Sequence, residues 1–181
     1  MKLSRLPLVP AVAGALILSF GAASAQAAPL PQQRCANDGG ISFNACLTVT
    51  STSTLNEYEV TAGQDAIMSP RYAQEIIDHG GQFRATLWGD DGSRRTWLAD
   101  LELKPGWPAA GPDGLGVELV RRLPVTVLNE DPGSGDEDEL YAEITYFDYH
   151  VGLNVTHRTG TVRHSFVAGS DGGGSCVVVC P

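Results

Sequence analysis

The stretch Phe83-Arg84-Ala85-Thr86-Leu87-Trp88-Gly89-Asp90-Asp91-Gly92-Ser93-Arg94-Arg95-Thr96-Trp97-Leu98-Ala99-Asp100-Leu101-Glu102-Leu103 decides the fold. Apolar residues alternate with polar ones at Phe83, Ala85 and Leu87, and again at Trp97, Ala99, Leu101 and Leu103. Alternation with period two turns one face of a strand to a core and the other to solvent. Gly89 to Ser93, between the two runs, is made of turn-forming residues, so the stretch predicts an antiparallel hairpin.

The same pattern extends outward in both directions. Phe43, Ala45, Leu47 and Val49 share one face, and Tyr58, Val60 and Ala62 share another. Val117 to Leu128 is a long apolar stretch; Leu140, Ala142, Ile144 and Tyr146 alternate, as do Val151, Leu153 and Val155, and Val162 to Val167 supplies a last strand. That makes about eight strands separated by Gly, Pro and Asp turns. One helix is predicted, with Ser69 as N-cap, Pro70 in its first turn, Ile76 and Ile77 on its buried stripe and Gly80 past its end. The expected fold is all-β: an antiparallel β-sandwich with one short helix, the alternative being a β-barrel.

Residues 1–27 read as a secretory signal: Lys2 and Arg5 precede the apolar run Leu6 to Phe20, and small residues follow at Ala23-Ser24-Ala25 and Ala25-Gln26-Ala27. The run is shorter than the roughly 20 residues of a membrane span, so no span is expected. Residues 28–168 form the β-domain, and 169–181 a Gly-rich tether with a Cys-bearing tail. The chain of 181 residues has 43% hydrophobic and 18% charged residues, which suits one globular domain. Its formal charge is −9, and loss of the signal removes two basic residues and no acidic one. Nucleic acid, which demands clustered positive charge, is therefore disfavoured as a partner.

Cys35, Cys46, Cys176 and Cys180 are an even number in an exported chain and point to two disulfides. Three valines separate Cys176 from Cys180. If extended, they set the two α-carbons about 13 Å apart, beyond the roughly 7 Å a bridge allows, which favours bridges from the N-terminal segment to the tail. Metal ligation is the runner-up, since C-x3-C without a second close pair is poor zinc spacing.

Ile77-Asp78-His79-Gly80-Gly81 running into Leu87-Trp88-Gly89-Asp90-Asp91, together with Leu128-Asn129-Glu130-Asp131 and Asp138-Glu139-Leu140-Tyr141-Ala142, resembles small uncharacterised secreted β-domain proteins of high-GC bacteria. The resemblance covers about Ala66 to Phe166. It implies an exported β-domain and brings no activity. Such proteins often carry a further acidic pair after the Trp-Gly-Asp-Asp segment, where this chain has Arg94-Arg95, which argues against a shared metal site.

Six carboxylates lie between Glu130 and Glu139. Calcium prefers such oxygen ligands on loops, and Asp90, Asp91, Asp131, Asp136 and Asp138 are the candidate ligands if the two loops share one end of the fold. The competing reading is a solvated acidic turn. His150, His157 and His164 recur every seven residues, which alternates faces on strands, and His79 falls in the last helical turn, where the helix dipole favours a cation. No G-x-S-x-G or H-E-x-x-H motif occurs. Trp88, on the face opposite Leu87, and Trp107, in the loop Lys104-Pro105-Gly106-Trp107-Pro108, are candidates for stacking on a sugar or anchoring a protein. The expected function is a secreted, extracellular, monomeric, non-catalytic interaction module for an unidentified protein or carbohydrate. The alternatives are a calcium-dependent binding domain and a small hydrolase.

Overall fold

A computed structural model describes residues 32–37, 43–130 and 137–166. It is built on ten strands: β1 (Gln32–Asn37), β2 (Phe43–Ser51), β3 (Glu57–Ile67), β4 (Arg84–Asp90), β5 (Arg95–Leu103), β6 (Ala109–Gly111), β7 (Gly114–Pro124), β8 (Asp138–Asp148), β9 (Leu153–Arg158) and β10 (Val162–His164). Helix α1 (Pro70–Asp78) separates β3 from β4, and a helical turn, α2 (Val125–Leu128), follows β7. The sheet order is β1-β2-β3-β7-β5-β4-β8-β10, with β6 on β7 and β9 on β8. Every pairing is antiparallel. The all-β class and the single multi-turn helix are as expected, and the sheet is one continuous surface curled into a half-barrel.

The decisive hairpin forms, but its alternation holds only at the centre: Trp97 and Leu103, expected on the buried face, are exposed, Trp97 because the strand slips by one residue beside it. Ala85, Leu87, Ala99 and Leu101 are buried, and Asp91 N donates to Arg94 O at 3.0 Å in the turn. A register shift between Leu87 and Trp88 sets Trp88 opposite Trp97, on the outer face. Two halves of the sheet face each other across a core that includes Leu47, Val60, Leu87, Leu119 and Ile144, all fully or almost fully buried. β5 joins the halves: it pairs with β4 along most of its length, and Glu102 and Leu103 pair with Val120 and Leu119 of β7. Full burial of each such aliphatic side chain is worth about 1.5–3 kcal/mol.

Helix α1 starts and stops where the sequence says. Ser69 Oγ accepts from Tyr72 N at 3.2 Å, and the chain leaves the helix through Gly80, whose φ of 72° suits a residue without a β-carbon. Ala73 and Ile76 pack with Ala66, Leu115 and Tyr146 and cover one end of the half-barrel.

Three segments differ from the sequence reading. Val117 to Leu128 is not one strand, because Pro124 lacks the N–H a ladder needs and its φ of −68° leads into the α2 turn. The last strand stops at His164, and Val151 belongs to a turn before β9. β1 and β6 had no alternating signal. The β1–β2 register sets Cys35 directly opposite Cys46. Among the described residues no helix is long and apolar enough to cross a membrane.

Candidate functional site

On the outer face of β3 and β7 the side-chain alternation leaves Gly63 and Asp65 beside Glu118 and Gly116, since Gly63 pairs with Glu118 and Asp65 with Gly116. The segment after β5 folds back over this place. Trp107 N donates to Lys104 O at 3.1 Å, and the six-membered part of the indole lies on Gly116. A β-carbon on residue 116 would sit 2.6 Å from the ring and 3.4 Å from an Asp65 carboxylate oxygen, so only glycine admits this contact.

Two cavities result. One, of about 170 Å³, is lined by Asp65, Trp107, Pro112 and Asp113 over the glycines at 111, 114 and 116. The other, of about 190 Å³, is lined by Asn44, Cys46, Gly63, Asp65, Trp107 and Glu118 among others. Because Asp65 and Trp107 border both, they form one groove with the indole and a carboxylate at its middle. Asp65 is an exposed residue, and partial desolvation of its carboxylate, then the charges of Asp113 and Glu118, raise its pKa above the ordinary carboxylate value. Lys104 Nζ pairs with Glu118 at 2.5 Å. Neither Asp65 nor Asp113 has an ion-pair partner among the described residues.

A second aromatic surface lies on the outer face of β5, β4 and β8, where Trp97, Trp88 and Tyr141 stand opposite one another on adjacent strands. The Arg95 guanidinium lies 4.4 Å from the Trp88 ring centroid and pairs with Glu143 at 3.2 Å. The Arg158 guanidinium lies 3.5 Å over Tyr141 and pairs with Asp90 at 2.6 Å. Each arginine is thus held between a ring and a carboxylate, and Trp97, 55% exposed, is the uncovered member of the row.

The candidate calcium ligands divide. Pairing of Gly89 with Leu140 brings the β4–β5 turn to the same end as the start of β8. Asp90 is held there by Arg158 and by Gly92 N, and the Arg158 hydrogen bond is the largest cause of its lowered pKa. Asp91 is exposed. Asp138 is buried and accepts from Glu130 N at 2.7 Å and Phe166 N at 3.1 Å, so it ties the chain together around β8. Asp131 and Asp136 lie outside the described residues, as do Cys176 and Cys180. Among the described residues no group of three or more His, Cys, Asp or Glu is placed to hold a metal.

The histidines are all in ring contacts. Tyr72, His150, Tyr149 and His79 stack in sequence at centroid distances of 4.4, 4.0 and 3.9 Å, joining α1 to the turn after β8. His150 Nε2 lies 3.1 Å from Glu75, and His79 Nδ1 lies 2.8 Å from Glu75 O at the helix end. Tyr72 O–H donates to Asp148, which holds its pKa up at about 12. His157 stacks on Phe43, and His164, whose pKa burial lowers, meets the edge of Phe166.

Asp65, Asp113 and Glu118 were not singled out by sequence reasoning. Trp107 and the alternation of Tyr58, Val60 and Ala62 were visible, but nothing local showed that β3, β7 and the Trp107 loop meet. Comparison with known proteins finds no family model, curated protein or solved structure that matches the chain.

Proposed function

We propose that the chain is an exported, non-catalytic binding module that takes a small polar group in the groove around Trp107. The observation that carries this reading is that two cavities share one indole and one carboxylate, an aromatic ring and a hydrogen-bond acceptor at the same place. Elsewhere Asp138 closes backbone donors and the histidines stack, so these candidate groups already serve the fold. The direct test follows the Trp107 indole N–H resonance while a panel of sugars, amino-acid amides and short peptides is titrated, with Trp107→Ala as the control. A panel that moves Trp88 or Trp97 and leaves Trp107 still would overturn the assignment.

Export also bears on the groove wall. We propose that Cys35 and Cys46, opposite each other on β1 and β2, are bridged. Directly opposed antiparallel residues have α-carbons about 4.5–5.5 Å apart, inside the range a disulfide requires. Cys46 lines the groove, so the bridge would fasten β1 to its wall. Peptide mass mapping without reductant tests it, and a Cys46 peptide joined to the tail instead would refute it.

A further inference from the structure

The outer surface of this fold uses one device twice and, in the groove, two thirds of it. At Arg95 a guanidinium lies over Trp88 and reaches Glu143; at Arg158 one lies over Tyr141 and reaches Asp90. Cations are drawn to ring faces by the ring quadrupole and to carboxylates by charge, so ring and carboxylate together hold a guanidinium better than either alone. The groove repeats the ring, Trp107, and the carboxylates, Asp65 and Asp113, without the cation. Lys104, the ammonium beside it, is engaged with Glu118.

We infer that the ligand supplies the missing piece: an organic cation, a guanidinium or ammonium group, seated against Trp107 between Asp65 and Asp113. This rests on the groove being the binding site. A divalent metal fits less well, because calcium takes six to eight oxygens and the groove's middle offers an indole in place of a ligand. A neutral sugar would leave the mutual repulsion of Asp65 and Asp113 unrelieved. The cation could belong to a small molecule or to an arginine or lysine side chain of another protein.

The test uses the full chain and four probes read at the assigned Trp107 indole resonance: N-acetyl-arginine amide, N-acetyl-citrulline amide, methyl glucoside and a short neutral-flanked peptide with one arginine. The arginine amide is expected to bind saturably, at least about tenfold tighter than its uncharged citrulline counterpart, and to weaken as salt screens the contact. Asp65→Asn and Asp113→Asn should each weaken it by about tenfold, while Arg158→Met, on the other surface, leaves it unchanged. The two asparagine variants keep the side-chain shape, and a melting curve for each confirms that folding is intact. Much tighter binding of the peptide than of the amide assigns the cation to a protein partner; equal binding assigns it to a small molecule. Citrulline or glucoside binding as well as arginine would overturn the cation and keep the groove. If no probe moves Trp107, both readings fall.

Discussion

On the outer face of β4, β5 and β8, Trp88 and Tyr141 are each covered by an arginine that also meets a carboxylate. Beside β3 and β7, Trp107 shares its groove with Asp65 and Asp113, for which no ion-pair partner occurs among the described residues. The same residue types thus end in two states. Where ring, cation and carboxylate complete one another within the chain, the charges are paired and the contacts contribute to holding the strands together. Where the cation is lacking, the fold bears crowded charge, and that cost marks the place at which another molecule is complementary. An exposed tryptophan alone does not separate these cases; its charged neighbours do.

The comparison can be broken at its strongest point first. Tyr141 is 2% exposed although it lies on the outer face, because Arg158 covers it. Tyr141→Ala should cost about 3 kcal/mol in urea unfolding, near the lower end for a buried aromatic. A loss below about 1 kcal/mol, the size of a surface substitution, would show that the row is ornament to the fold. Arg158→Met keeps much of the apolar stem and removes both charge contacts, and the expected loss is about 1 kcal/mol for an exposed pair and ring contact together. In that variant the Asp90 carboxyl should titrate at a higher pH than in the parent, because its largest stabilising hydrogen bond is gone. Its titration by NMR checks this.

The groove should respond in the opposite way. Trp107→Ala is expected to shift stability by less than about 1 kcal/mol, because the ring is only partly buried, yet to abolish ligand-induced changes. The smallest effect concerns Asp65. Its pKa is raised in the folded state, so the folded chain favours the protonated form, and ionisation works against folding as pH rises through that value. Asp65→Asn should therefore raise the melting midpoint slightly at neutral pH. The gain should vanish below the ordinary aspartate pKa of about 3.9, where both chains carry a neutral group. A lower midpoint for the variant at pH 7 would mean that the carboxylate is compensated and the comparison misdrawn.

The parts of the fold written in short-range chemistry were legible. Ser69, Pro70 and Gly80 bracket α1 because a cap, a fixed φ and a residue tolerant of positive φ each act within one turn, and Gly89 to Ser93 folds the hairpin for equally local reasons. Val125 to Leu128 was not legible, because a short apolar run reads alike as strand or helical turn until Pro124 decides it. β1 and β6 offered no periodicity to read. The candidate groove was half legible: Trp107 stood out, but Asp65 looked like any solvent-facing strand residue, and only the pairing of β3 with β7 brings it to Gly116. The acidic residues misled in the other direction, since their spacing was plain while the employment of Asp138 by two backbone N–H groups was hidden.

The joint at β5 has a consequence for how the protein opens. Among the described residues, the ladder between the two halves pairs Glu102 and Leu103 with Val120 and Leu119 and continues with Lys104 N donating to Glu118 O at 2.9 Å, supplemented by the Lys104–Glu118 ion pair and by Arg121 Nη1 donating to Asp100 O at 2.8 Å. Within each half the ladders are far longer, such as the eleven-residue register of β3 on β7. Free energies of local opening follow such differences, so the seam is the ladder expected to part most easily, held by the one core that both halves share. The amide hydrogen of Lys104, which donates to Glu118 O across that seam, and by the alternation of the ladder those of Glu102 and Val120, will exchange by parting of the seam, at lower cost than the amides of Ala62 or Leu87. The core side chains that span the gap, rather than the continuous backbone, then set how often the half-barrel breathes.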